Sequence, residues 1–222
     1  MLVARLRLPL FSSVTKTRDY NCVQMPAIGI TGSLSTGKTA FCECLREICP
    51  GAKFFNADQA ARALVDLDAE VKEELLREFG RETYYPGGDL NRERLRAIIF
   101  QDAAKKGALE QILHPRIRQQ WSAEAKTYRN SSEFFFADIP LLYETGGETL
   151  CDRVVVVACS REVQLARLWQ RSRLDRATAE QMIDSQMPLN EKMGRADHVV
   201  WNNGERAVLT EQAKMLVELW RV

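Results

Sequence analysis

The sequence predicts an α/β fold with a parallel sheet covered by helices on both faces. Two observations carry this: short apolar runs alternate with helical patterns, and the runs are continuous rather than alternating, as strands buried on both faces require. A third is local, a Gly-containing string ending in Gly-Lys-Thr between the first run and the first helix. The first strand is Ala27-Ile28-Gly29-Ile30 and the second is centred on Phe54-Phe55. Glu133 to Asp138 holds three consecutive Phe, Asp152 to Cys159 holds four consecutive Val, and His198 to Trp201 makes a fifth strand. Between them the spacing predicts helices over 37–48, 57–66, 69–79, 91–101, 103–129, 161–171, 176–187 and 205–220. The last carries Val208, Leu209, Met215, Leu216 and Leu219 at helical intervals. The block from about 60 to 130 is almost entirely helical and polar-rich, so it reads as an insertion between the second and third strands.

A length of 222 residues suits one such domain with an inserted piece. With 45% hydrophobic and 27% charged residues, collagen-like, low-complexity and strongly disordered classes are excluded. Thirty-one basic residues against thirty acidic give a net charge of +1, so no bulk positive field points to nucleic acid or an anionic membrane. The longest apolar stretch, Val154 to Cys159, is far short of the roughly 20 residues of a membrane span. Neither nucleic acid nor membrane is an expected partner. Six Cys are too few for a disulfide scaffold, and Cys42, Cys44 and Cys49 lack the spacing of a zinc or redox motif. Reduced thiols fit a reducing compartment, and the expected location is the cytoplasm.

Residues 1–24 stand apart: Arg5, Arg7, Lys16 and Arg18 face one acid, Asp19, with Ser12, Ser13, Thr15 and Thr17 between them. This resembles an organelle transit peptide, and an organellar location is then the alternative. Met25 directly precedes the first strand, so a disordered tail or a misassigned start explains the segment at least as well and is the stronger reading. Without it the body carries 27 basic and 29 acidic residues, a charge of −2. Any anionic ligand must therefore be held by a local concentration of positive groups.

Gly32-Ser33-Leu34-Ser35-Thr36-Gly37-Lys38-Thr39 satisfies the phosphate-loop pattern, following a strand and opening a helix as that pattern requires. The context predicts a P-loop NTPase three-layer fold. Gly32 and Gly37 permit backbone conformations and close approach that a Cβ obstructs, so that successive N–H groups and a helix N-terminus converge on phosphate. Lys38 adds a mobile cation, and the Thr39 hydroxyl is the candidate ligand of Mg²⁺ bound with ATP.

Asp138 ends a buried strand at the sheet edge where ligands of open α/β folds bind. It is a candidate for the second shell of the metal or for orienting substrate; the alternative is an Asp opening a turn before Pro140. Asp58, after the second strand, either acts as a base near the transferred phosphate or caps the helix that follows, a role Asn56 could also fill. Gln164, Arg167 and Arg171 share one helix face, which suits either phosphate or surface ion pairing. His114, before Pro115 in a helical stretch, is either a packing residue at a kink or a substrate contact.

The order of these strings resembles the dephospho-CoA kinase family over residues 27–204. They are the phosphate loop, N-A-D at the second strand, His114-Pro115, D-I-P-L-L-Y-E from Asp138 to Glu144, D-R-V-V-V-V, Q-L-A-R-L-W-Q-R and A-D-H-V-V-W-N-N-G. The Asp138–Glu144 string is the most specific of them. The resemblance implies a five-stranded parallel sheet with core residues 25–59 and 131–222, a helical substrate-binding insertion over 60–130 and a lid over 171–190. It implies transfer of the γ-phosphate of ATP to the ribose 3′-hydroxyl of dephospho-CoA, the last step of coenzyme A synthesis, by a chain expected to be a monomer. By the same resemblance Asp58 is the base, Lys38 and Arg171 join it in catalysis, and Arg171 lies in or beside the lid. Residues 32–39 with Asn203 and Gly204 hold ATP, while Arg62, His114, Pro115 and Asp138 meet the substrate. Departures are Asn56, where the family usually has a first Asp, Ser33 and Ser35 where Gly is frequent, and Ser172 where an Asp often follows Arg171. The alternatives are another P-loop nucleotide or small-molecule kinase and an inactive nucleotide-binding module.

Overall fold

The computed structural model describes residues 26–128 and 131–221; the segment 1–24 singled out above lies outside them. In chain order the elements are β1 (Ala27–Gly32), α1 (Lys38–Ile48), β2 (Lys53–Asn56), α2 (Ala57–Leu67), α3 (Ala69–Phe79), α4 (Arg92–Gln101) and α5 (Ala103–Tyr128). There follow β3 (Phe135–Asp138), β4 (Arg153–Ala158), α6 (Arg161–Ser172), α7 (Arg176–Asp184), α8 (Leu189–Arg195), β5 (His198–Trp201) and α9 (Arg206–Trp220). The described residues form two compact units, one holding the chain up to Phe55 and from Glu124 onward, the other Asn56–Ala123.

In the first unit the strands form a five-stranded parallel sheet in the order β2-β3-β1-β4-β5. β1 pairs with β3 on one side and β4 on the other, with Ile30 opposite both Asp138 and Val155. The chain steps one way across the sheet from β1 to β2 and the other way from β2 through β3 and β4 to β5. Right-handed crossovers therefore put α1 on one face and the connections that follow β3 and β4 on the other. Period-two alternation sorts the side chains accordingly. Ile28, Ile30, Phe134, Phe136, Val155, Val157 and Val200 meet Phe41 and Leu45 of α1 and Leu209, Ala213, Leu216, Val217 and Trp220 of α9 in one core. On the opposite face a Cβ at Gly29 would meet Cys151 Sγ at 2.6 Å and a Leu142 methyl at 2.9 Å, so the segment after β3 closes directly onto β1.

Two elements differ from the sequence reading. The helix expected over 176–187 ends at Asp184, where the Ser185 and Gln186 amides turn back onto Gln181 and Ile183 and Pro188 lies just ahead. α8 has no counterpart among the expected helices, because Leu-Asn-Glu-Lys-Met-Gly-Arg carries no apolar stripe; its buried residue is Lys192.

The second unit is a helical cluster around Leu64, Val65, Val71, Leu75, Phe79, Leu90 and Leu95, with Leu109, Ile112, Leu113 and Ile117 of α5 packed against them. Asn56, Asp68 and Asn91 cap α2, α3 and α4, each side chain accepting from the backbone amide three residues on. α5 continues through Pro115. Arg116, the next residue, donates to the Ile112 carbonyl at 2.8 Å and grips both Glu74 oxygens at 2.7 and 3.2 Å.

His198 at the edge strand gives a pH prediction. Its ring packs 5.9 Å from Trp220, its Nε2 is buried without a hydrogen-bond partner, and burial lowers its pKa below 6.5, Arg153 reinforcing and Asp197 opposing. The folded state thus disfavours the proton. The stability due to neutral His198 is present above pH 6.5 and is lost as pH falls toward the depressed folded value. A His198→Asn chain should lose less of its urea midpoint than the wild type between pH 7.5 and 5.5; parallel losses would rule this contribution out.

Candidate active site

The C-terminal ends of β1 and β3 lie side by side, and the loop 33–37 rises from β1 to open α1. Gly37 sits at φ 92, and a Cβ there would come within 1.9 Å of the Asn202 amide nitrogen, so only glycine fits. Ser35 also adopts a left-handed conformation, φ 58, which costs a non-glycine residue about 1 kcal/mol.

The loop's backbone is held largely by side chains from outside it. Gln164 Nε2 donates to Leu34 O at 2.7 Å, Asn202 Nδ2 to Thr36 O at 2.9 Å and the Thr36 hydroxyl to Ser33 O at 3.0 Å. The Arg167 guanidinium donates to Thr36 O at 3.1 Å, Ser35 O at 3.4 Å and Asn202 O at 2.9 Å. Gln186 Oε1 accepts from the Leu34 amide at 3.1 Å. α1 has no side-chain cap, in contrast to α6 and α7, where Ser160 and Asp175 accept from the first turn. The first amides of α1 thus lack intrahelical partners and a capping oxygen, which makes the loop an anion cradle.

Lys38 Nζ donates to Asp138 Oδ1, joining the first residue of α1 to the last residue of β3. Both side chains are largely buried, at 13% and 4% exposure. Thr39 presents an exposed side chain one residue on. Burial pushes the Cys42 thiol up to about 12, with Asp138 adding and Lys38 opposing, so this thiol stays protonated and is no nucleophile.

The first unit therefore brings together residues 32–39, Asp138, Gln164 and Arg167. The helix face that suits phosphate by its spacing divides: Gln164 and Arg167 spend donors on the loop, whereas Arg171 is exposed in the last turn of α6. Asn203 Oδ1 accepts from the Ser160 amide at 2.8 Å, tying the turn after β5 to the start of α6, and Gly204 follows, exposed. Asp58, Arg62, His114 and Pro115 belong to the second unit. Asp58 and Arg62 are exposed, one helical turn apart on α2. Asp58 is not the cap of that helix, because Asn56 takes the Gln59 amide at 2.8 Å. His114 is half-buried, and Pro115 beside it is exposed.

Sequence reasoning missed Asn202, Gln186, Glu144 as a partner, and Lys192. Lys192 is fully buried, and its ammonium reaches Gly32 O at 3.1 Å, Pro140 O at 3.0 Å and Glu144 Oε1 at 2.8 Å. A lone Lys in a polar heptapeptide gives no sign of burial, since Lys is almost never fully buried unless paired.

The family model described as dephospho-CoA kinase matches residues 26–207. The dephospho-CoA kinase of Syntrophotalea carbinolica is 39% identical over 197 residues, covering 87% of this chain and 91% of the relative. That of Anaeromyxobacter dehalogenans is 40% identical over 194 residues, with coverage of 87% and 91%. The solved dephospho-CoA kinase from Campylobacter jejuni superposes with a TM-score of 0.66 at 28% identity, covering 86% of this chain and 95% of that one.

Proposed function

The chain belongs to the dephospho-CoA kinase family, and on that premise we propose how its residues carry out phosphoryl transfer from ATP to the ribose 3′-hydroxyl of dephospho-CoA. The observation that carries the reading is the Lys38–Asp138 pair beside the uncapped start of α1: a buried cation held by a carboxylate, next to amides that await an anion. Residues 32–39 wrap the ATP phosphates, and Lys38 turns from Asp138 to the β- and γ-oxygens as charge spreads over them.

Mg²⁺ fits the donor set. Among the described residues there is no group of three or more His, Cys, Asp or Glu side chains that could cage a metal. An ion held mainly by nucleotide phosphates and water needs little directly from the protein: Thr39 would supply a hydroxyl, and Asp138 an acid for its second shell. When bound, Mg²⁺ neutralises phosphate charge and helps align the transferred group.

The 3′-hydroxyl oxygen attacks the γ-phosphorus as the bond to the β-bridging oxygen breaks. ADP departs with that oxygen, and Asp58 takes the hydroxyl proton. Arg171 contributes positive charge as the lid over 171–190 closes and excludes water. Arg62, His114, Pro115 and Asp138 orient dephospho-CoA, Asn203 and Gly204 border the adenine of ATP, and the reaction runs in the cytoplasm. Purified protein given ATP, Mg²⁺ and dephospho-CoA should yield ADP and a coenzyme A carrying the new phosphate on the 3′-oxygen. Phosphorylation of other nucleosides or small alcohols in preference would point to a different P-loop kinase. ATP binding without any product would mark an inactive module.

A further inference from the structure

The β1–β3 ladder stops where the proposed chemistry begins. Its last backbone bond runs from the Ile139 amide to Ile30 O at 3.0 Å. In a parallel ladder the next rung, to Gly32 O, would come from the Leu141 amide, but β3 ends at Asp138 and the chain turns at Pro140 before that rung can form. Two side chains take over. The Thr31 hydroxyl donates to Pro140 O at 3.0 Å, and the Lys192 ammonium bridges Pro140 O at 3.0 Å to Gly32 O at 3.1 Å. The third proton of the ammonium faces Glu144 Oε1 at 2.8 Å, and the same oxygen accepts from the Met187 amide at 3.1 Å.

We infer that Lys192 is a positioning residue: it replaces the missing rung between β1 and β3 and so fixes the phosphate loop against Asp138. The strand ends it joins carry the two partners of the Lys38–Asp138 pair. Gly32 begins the loop that leads to Lys38, and Pro140 lies two residues beyond Asp138. Stability alone explains such a residue poorly, because burying an ammonium has a desolvation cost that an apolar side chain of similar volume does not have. A methionine would fill the same space but could not bridge two carbonyls. Glu144, last residue of the family-specific string, then has a defined part, since it neutralises Lys192 and ties the Met187 amide to it.

The inference rests on the phosphotransfer reading, and its test separates the two. Lys192→Met alone leaves the Gly32 and Pro140 carbonyls without their donor and Glu144, 22% exposed in its side chain, without its cation, and should lower the melting temperature. The pair Lys192→Met with Glu144→Gln removes the unneutralised carboxylate and should recover part of the melting temperature, while kcat stays down about 10²-fold, the cost of small misplacements of reacting groups. ATP affinity by calorimetry should change less than about threefold, since transition-state geometry rather than uniform binding is lost. Thr31→Val, which removes the other side-chain bond to Pro140 O, should lower kcat in the same sense and keeps the test decisive if the double variant does not fold. Full recovery of kcat in the double variant, or wild-type kcat in Thr31→Val, would overturn the inference. If wild-type protein does not phosphorylate dephospho-CoA, the proposed function fails, and amide exchange at Ile139 still decides the rung: faster in Lys192→Met with Glu144→Gln supports it, unchanged refutes it.

Discussion

Lys38→Met is expected to lower kcat by about 10²- to 10³-fold, the loss typical of removing one preorganised charge or donor from a transition state. The substitution keeps the length of the side chain and deletes the ammonium that spans from α1 to Asp138. A structural effect comes with it. Asp138 is only 4% exposed in its side chain, so its carboxylate is left in the protein interior without its lysine, and breaking such a pair costs about 3 kcal/mol or more. Asp138→Asn in the same chain removes that charge and should restore thermal stability without restoring turnover. ATP bound by the native state alone should raise the wild-type melting temperature as its concentration rises. That rise should shrink sharply in the double variant. Wild-type turnover in Lys38→Met would remove Lys38 from phosphate chemistry and leave it a partner of Asp138 alone.

The residues legible in the sequence are those whose role is set by near neighbours. The loop 32–39 is one, because Gly37 must take φ 92 and the helix must start at Lys38, constraints that act within a few residues. Asp138 is another: an apolar run that ends in an acid places that acid at a strand terminus, and the register puts it opposite Ile30, two residues before Gly32. Asn56 reads from the sequence as a lost carboxylate or a cap, and the structure makes it a cap.

The supports of the loop are not legible, for a reason of distance along the chain. Leu34 and Gln186 are separated by 152 positions, Gly32 and Lys192 by 160, and Thr36 and Asn202 by 166. No local period encodes such contacts. The face of α6 shows the same limit. Gln164, Arg167 and Arg171 share a face by spacing alone, yet only the fold decides that the first two serve carbonyls of the loop. A basic side chain near a phosphate loop therefore has two separate uses, aiming the backbone or meeting the phosphate. Hydrogen-bond partners tell them apart.

Asp58→Asn is expected to lower kcat by about 10²- to 10⁴-fold, the range for loss of a general base, with ATP affinity kept. The substitution is close to isosteric, and Asp58 is exposed in the first turn of α2, where no hydrogen bond or ion pair holds it among the described residues. The Asn56 cap on Gln59 is untouched, so α2 should keep its stability apart from a few tenths of a kcal/mol for the lost acid at a helix N-terminus. The substitution therefore tests the proton-accepting role without breaking an ion pair. Asn56→Asp supplies the contrast. It restores the acid found more often in the family at that position, and because Asn and Asp cap helices about equally well, stability and kcat should both stay near wild type. If Asp58→Asn keeps wild-type kcat, the proton leaves by another group. If Asn56→Asp instead raises kcat severalfold, the first acid has a chemical role that Asn56 has given up.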